Sequence, residues 1–207
     1  MEETLNALRR FVRPGVLVER CDLCAAEVIP GHPHLIEPAT RQIQCACDPC
    51  AFLFSNQEGT RFKRIPRDAT YLSTFQLTDL QWGALMLPIQ LAFFFHSTPD
   101  GRLVALYPSP AGATESLLPL DAWGEIVSDN PVLAKLEPDV EALLVNRVGE
   151  RREYFIAPID KCYELVGLIR AKWSGLSGGT EAWKAIDGFF AELAKNARVP
   201  AKEAASA

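Results

Sequence analysis

Two Cys-x-x-Cys pairs, Cys21-Asp22-Leu23-Cys24 and Cys47-Asp48-Pro49-Cys50, constrain the first third of this chain more tightly than any other feature. Thiolates two residues apart can grip a metal ion from one tight turn, and two such turns complete a tetrahedron. The 22 residues between the pairs slightly exceed the usual spacing of about 15–20 but keep the same arrangement. His34-Leu35-Ile36-Glu37 and Arg41-Gln42-Ile43-Gln44 are strand-like, with turn chemistry at Pro38-Ala39-Thr40. The second pair opens a helix: Asp48 suits an N-cap, Pro49 the first helical position, and Ala51-Phe52-Leu53-Phe54 continues it. Knuckle, hairpin and a second pair at a helix N-terminus follow the order of a treble-clef zinc finger. The helix dipole also favours a thiolate at Cys50. In one respect the pattern departs: Ala25 and Ala51 stand where zinc knuckles often carry glycine. The expected ligands are Cys21, Cys24, Cys47 and Cys50, holding zinc. An iron–sulfur cluster, or a redox or metal-free site, is the alternative.

Further ligand types crowd the same stretch. His32 and His34 are two residues apart, as are Cys45 and Cys47, and on a strand each pair would point one way. Four cysteines saturate a structural zinc, so His32, His34 and Cys45 are left over. They are read first as hydrogen-bonding and packing residues. A second or mixed metal site, or a set in which His34 or Cys45 replaces a thiolate, stays open.

The chain has 207 residues, of which 48% are hydrophobic and 23% charged, as in an ordinary globular protein. A net charge of −5 argues against a general nucleic-acid or anionic-membrane binder. The start, Met-Glu-Glu-Thr-Leu, is acidic and has no apolar stretch of the secretory kind. The longest apolar run, Leu85 to Phe95, contains Pro88 and Gln90 and falls short of the roughly 20 residues a membrane span needs. These features predict a cytoplasmic protein, in which six cysteines read as ligands or buried thiols and not as disulfides.

The organisation predicted is an N-terminal helix over 1–15, a metal-binding module over 16–66, an α+β core over 67–196 and a disordered polar tail over 197–207. In the core, Thr78 and Gln81 form a capping box, with Leu77 and Trp82 as a hydrophobic staple, and the helix must end before Pro88. Residues 89–96 and 103–107 read as a hairpin turning through 97–101, and 142–147 with 153–157 as a second, turning at Gly149. A short helix over 121–128 lies between the hairpins, and helices over 159–173 and 181–195 close the chain. The fold class is therefore α+β: a treble-clef-like module, then a mainly antiparallel sheet covered on one face by helices.

Other residues invite a chemical role. Cys162 lies beside Asp160 and Lys161, yet it shares a helical face with Ile159, Val166 and Ile169, which makes it a core thiol. His96 ends an apolar strand and has no visible triad partner. Tyr107 to Ser116 is small and polar and reads as a ligand or partner loop through Ser109, Thr114, Glu115 and Ser116. On that reading, charge reversal at Glu115 should spare the fold. Asp139, Glu141 and Arg147 either pair internally or line a polar pocket.

Over about residues 15–195 the chain resembles an uncharacterised bacterial family, a domain of unknown function encoded beside actinobacterial-type, high-affinity nickel–iron hydrogenase genes. The matching stretches are Cys21 to Cys24, His32 to Leu35, Cys45 to Cys50, Tyr107 to Ser116, Asp139 to Arg147, Pro158 to Arg170 and Gly175 to Gly179. The resemblance supplies no catalytic residue. It implies a cytoplasmic accessory to hydrogenase assembly, maturation or electron transfer, with a hydrogenase subunit or maturation factor as partner. Joined to the cysteine pairs, the first reading is a zinc-binding, non-enzymatic accessory protein for hydrogenase assembly or maturation. Two other readings stand beside it: an iron–sulfur or redox protein serving the same hydrogenase, and an enzyme with a pocket at the 107–116 segment.

Overall fold

A computed structural model describes residues 18–55, 59–116, 120–175 and 178–199. The helix expected over 1–15 lies outside them, as does most of the expected tail. Arg198, at the start of that tail, is tied down: its N–H donates to the Ala69 carbonyl and its own carbonyl accepts the Tyr71 N–H.

Three strands form the first sheet. β1 (His34–Glu37) is central, paired antiparallel with β2 (Gln42–Cys45) on one side and β3 (Lys63–Arg64) on the other. Helix α1 (Asp48–Ser55) follows β2, as the Asp48-Pro49 start predicts. Strand alternation sends successive β1 side chains to opposite faces. Leu35 packs with Cys21, Ala46, Cys50, Ala51 and Phe62 in a small local core. Ile36 points the other way, into the main core with Ile65 and Ala69. The module therefore shares its hydrophobic core with the rest of the chain.

The second sheet has six strands in the order β4-β9-β8-β5-β6-β7, every neighbouring pair antiparallel. Its strands are β4 (Thr70–Tyr71), β5 (Leu91–Ser97), β6 (Arg102–Ser109), β7 (Gly112–Ser116), β8 (Glu141–Asn146) and β9 (Glu153–Pro158). Both expected hairpins form, β5–β6 and β8–β9. Helix α2 (Asp79–Ala84) carries the expected capping box: Gln81 N donates to Thr78 Oγ1, and Thr78 N donates to Gln81 Oε1.

The expectation of helices on one face is corrected. Helices α4 (Ile159–Lys172) and α5 (Gly179–Asn196) cover the face bearing Phe93, Phe95, Leu144 and Phe155. On the opposite face, Ala92, Phe94, Leu143 and Val145 pack with Trp82 of α2, Trp123 and Ile126 of α3 (Leu120–Asp129), and Leu133 of a 3-10 helix (Pro131–Lys135). The unbroken burial of Leu91 to Phe95 follows from this two-sided cover. Each such large side chain contributes about 1.5–3 kcal/mol on burial.

Candidate metal centre

The sulfurs of Cys21, Cys24, Cys47 and Cys50 all lie within 4.8 Å of one another. All four cysteines are free thiols. Cys24 Sγ and Cys47 Sγ are 3.6 Å apart, close to the roughly 3.8 Å edge of a tetrahedron with 2.3 Å zinc–sulfur bonds. The first pair sits on a tight turn closed by Ala25 N to Cys21 O and Cys21 N to Ala26 O, each 2.8 Å. Ala25 takes φ 61°, the left-handed conformation that knuckle glycines usually supply. The turn thus keeps a knuckle's shape without its glycine.

Electrostatics separates Cys21 from Cys24 and Cys50. Burial opposes ionisation of Cys21, but backbone amides of Cys47, Leu23 and Cys24 outweigh it and bring its pKa down to about 6. Burial and three neighbouring sulfurs push Cys50 up. The Ala26 amide favours ionisation of Cys24, yet the neighbouring sulfurs of Cys21 and Cys47 leave its pKa raised. Without a cation, Cys21 is favoured as a thiolate while Cys24 and Cys50 are disfavoured. A divalent ion removes the mutual repulsion of neighbouring thiolates, which is the chemistry of a thiolate metal site.

The leftover ligands form a second group. His32, His34 and Cys45 place their donor atoms within 4.8 Å of one another. Cys45 stands directly across β1–β2 from His34, which puts the two side chains on one face. Cys45 and Cys47 part company because β2 ends at Cys45, and strand alternation no longer holds beyond it. The two groups are linked: Cys45 N donates to Asp22 Oδ2 at 2.7 Å, and Asp22 N donates to Cys45 O at 2.9 Å. His34 Nδ1 meets Asp160 Oδ2 of α4 at 2.7 Å. His32 Nδ1 meets the Ile29 carbonyl at 3.0 Å. The sequence places Asp160 far from the histidines and gives no local sign of this contact.

The loop reading of one segment is corrected, and the other residues singled out in the sequence find their places. The 107–116 segment is no loop: β6 runs through Ser109 and β7 returns from Gly112. Ser109 donates to Gly112 O, Thr114 donates to Ser109 Oγ, and Ser116 pairs with Ala105 in the sheet. Glu115 is held by Arg102 at 2.5 Å and Arg41 at 3.4 Å. A lysine there would face two arginines, so charge reversal at Glu115 would not leave the fold untouched. Asp139, Glu141 and Arg147 take the internal-pairing alternative. Asp139 accepts from Lys63 and from both Thr98 donors, and Glu141 caps the Glu137 amide. Arg147, at the other end of β8, bonds Asp79 and the Leu77 carbonyl and lies over Trp82. Cys162 is fully buried, and burial raises its thiol well above the usual range. A cavity of about 120 Å³ lies elsewhere, lined by Arg67, Asp68, Lys161, Glu164, Phe189 and Glu192.

Comparison with known proteins adds one relationship. A family described as a family of unknown function (DUF5947) matches residues 20–197, nearly the whole chain. The chain belongs to that family. The match spans the four-cysteine cluster, the histidine–cysteine group and both sheets. Comparisons with curated proteins and with solved structures each gave no match. Among the described residues, no helix is long and apolar enough to cross a membrane.

Proposed function

We propose that this chain is a zinc-binding, non-enzymatic accessory protein, and that the four-cysteine module is a structural zinc site of treble-clef type. The observation that carries the zinc reading is the convergence of four free thiols within 4.8 Å, from one tight turn and from the start of α1. An all-sulfur tetrahedral set suits zinc, which would fix the two segments and supply folding energy without chemistry of its own. Support for a non-enzymatic role comes from the other reactive groups. Cys162 is sealed in the core, and Asp139 and Arg147 are spent on internal contacts.

The client in this proposal is a nickel–iron hydrogenase, at its assembly or maturation step. That part rests on the family resemblance alone and is an associational argument. Co-purification tests it. Tagged wild-type protein should bring down a hydrogenase subunit or maturation factor from cells expressing hydrogenase genes, and Cys24→Ser protein should capture less. Capture of no hydrogenase component by wild type would overturn the accessory role.

A further inference from the structure

We propose that His32, His34 and Cys45 form a second metal site, for one borderline divalent first-row ion of the zinc or cobalt kind, with a fourth coordination position left open. The proposal does not depend on the four-cysteine cluster holding zinc. Two imidazoles and one thiolate are a donor set suited to such an ion and poorly suited to calcium or magnesium. The three donors converge within 4.8 Å because His34 and Cys45 face each other across β1–β2, with His32 two residues upstream.

His32 supplies the most direct sign of a missing partner. Its side chain is only 7% exposed, and its Nε2 is buried with no hydrogen-bond partner. A buried polar atom left unmatched is costly, and most native structures avoid it. With Nδ1 of His32 directed at the Ile29 carbonyl at 3.0 Å, the proton belongs on Nδ1. Nε2 then carries a free lone pair, the state in which histidine binds metals.

His34 is set up in the same way by a different group. Its Nδ1 lies 2.7 Å from the Asp160 carboxylate, so it too donates through Nδ1 and keeps Nε2 free. Ligating histidines commonly make this second hydrogen bond, to a backbone carbonyl or to a carboxylate. Here one histidine has each kind. A pair of histidines merely packed edge to face, with ring centroids 4.9 Å apart, would not need both rings oriented so.

Cys45 completes the set. Its amide is fixed by the Asp22 carboxylate, which lies inside the first Cys-x-x-Cys pair. Metal binding would form one sulfur–metal and two nitrogen–metal bonds and release the Cys45 thiol proton to solvent. In that complex both imidazoles would coordinate in their neutral form. Three protein donors leave a tetrahedral ion one open position, where a water or a partner's side chain can bind. The site is therefore built to exchange or present its ion, unlike the closed four-thiolate cluster.

The test counts metal on the full chain. Wild type, Cys45→Ser, His34→Gln and Cys24→Ser proteins are saturated anaerobically with Co2+, freed of excess, and analysed for cobalt per chain and for thiolate-to-cobalt absorption. Wild type should hold one more equivalent than Cys45→Ser or His34→Gln. Cys24→Ser should keep the equivalent that those two lose, even if the four-cysteine cluster binds nothing. Asp160→Asn keeps every ligand and should weaken only this site, by about 10–100-fold. Equal cobalt content in wild type, Cys45→Ser and His34→Gln would overturn the proposal. So would an Asp160→Asn protein with unchanged affinity.

Discussion

The side chains of His34 and Asp160 meet at 2.7 Å although 126 positions separate them in the chain. The contact joins β1 of the cysteine module to the first turn of α4, which packs on the six-stranded sheet. It is one of several polar ties across the same boundary. Arg41 reaches Asp100 at 2.7 Å, and Lys63 reaches Asp139 at 2.7 Å. Ile36 and Ile65 cross it as well, buried in the main core. The cysteine-bearing turns are thus tied to the six-stranded sheet and its helices through both polar and apolar contacts.

Asp139 tests that coupling. Its side chain is 3% exposed and accepts three hydrogen bonds, from Lys63 Nζ and from Thr98 N and Oγ1. Its φ of 70° is one that Asn adopts at less cost than Ala. Asp139→Asn should cost about 2 kcal/mol through weakened charge-assisted bonds. Asp139→Ala should cost more, because backbone strain is added. Urea unfolding of the two variants measures the order.

The left-handed knuckle residue predicts a gain. Ala25 at φ 61° is exposed and bears the cost of that conformation. Ala25→Gly should stabilise the protein by up to about 1 kcal/mol, the relieved strain being partly offset by the freer unfolded chain. Thermal unfolding of the metal-loaded forms would show a raised midpoint.

Glu37 makes stability depend on acid. Hydrogen bonds from Arg61, at 2.6 and 2.9 Å, hold its carboxyl below the ordinary 4.5, against the opposing effect of burial. A folded pKa below the unfolded one gives stability that is full above about 4.5 and is lost as pH falls through the lowered value. Wild type should exceed Glu37→Gln in urea midpoint at neutral pH, and the gap should close on acidification. The difference between the two proteins removes any shared effect of metal release.

Cys162 should behave as packing. It is fully buried on α4, facing the sheet. Cys162→Ala should cost about 1 kcal/mol, as a small core truncation. Cobalt and zinc content should not change, which elemental analysis of the variant checks.

Local signals were legible in the sequence and non-local ones were not. The Thr78–Gln81 capping box and the turns at Gly101 and Gly149 are set by residues within a few positions of each other, and each appears as expected. Strand β4 is two residues long and exists through its pairing with β9. Strand β7, Gly112-Ala113-Thr114-Glu115-Ser116, lacks apolar alternation because it is an edge strand. Its polar character reads as a loop for that reason. The two Cys-x-x-Cys pairs stand out because their spacing is local. The division of Cys45 from Cys47 depends on where β2 ends, and the Asp160 contact on how α4 packs.

The central claim is that Cys21, Cys24, Cys47 and Cys50 hold a zinc ion. Elemental analysis with sulfur-edge and zinc-edge X-ray absorption on anaerobically purified protein tests it most directly. A colourless protein should contain zinc in a four-sulfur shell near 2.3 Å, and Cys24→Ser or Cys50→Ser should lose that four-sulfur zinc. A brown protein with iron and labile sulfide, or variants that keep the four-sulfur zinc in full, would contradict the account.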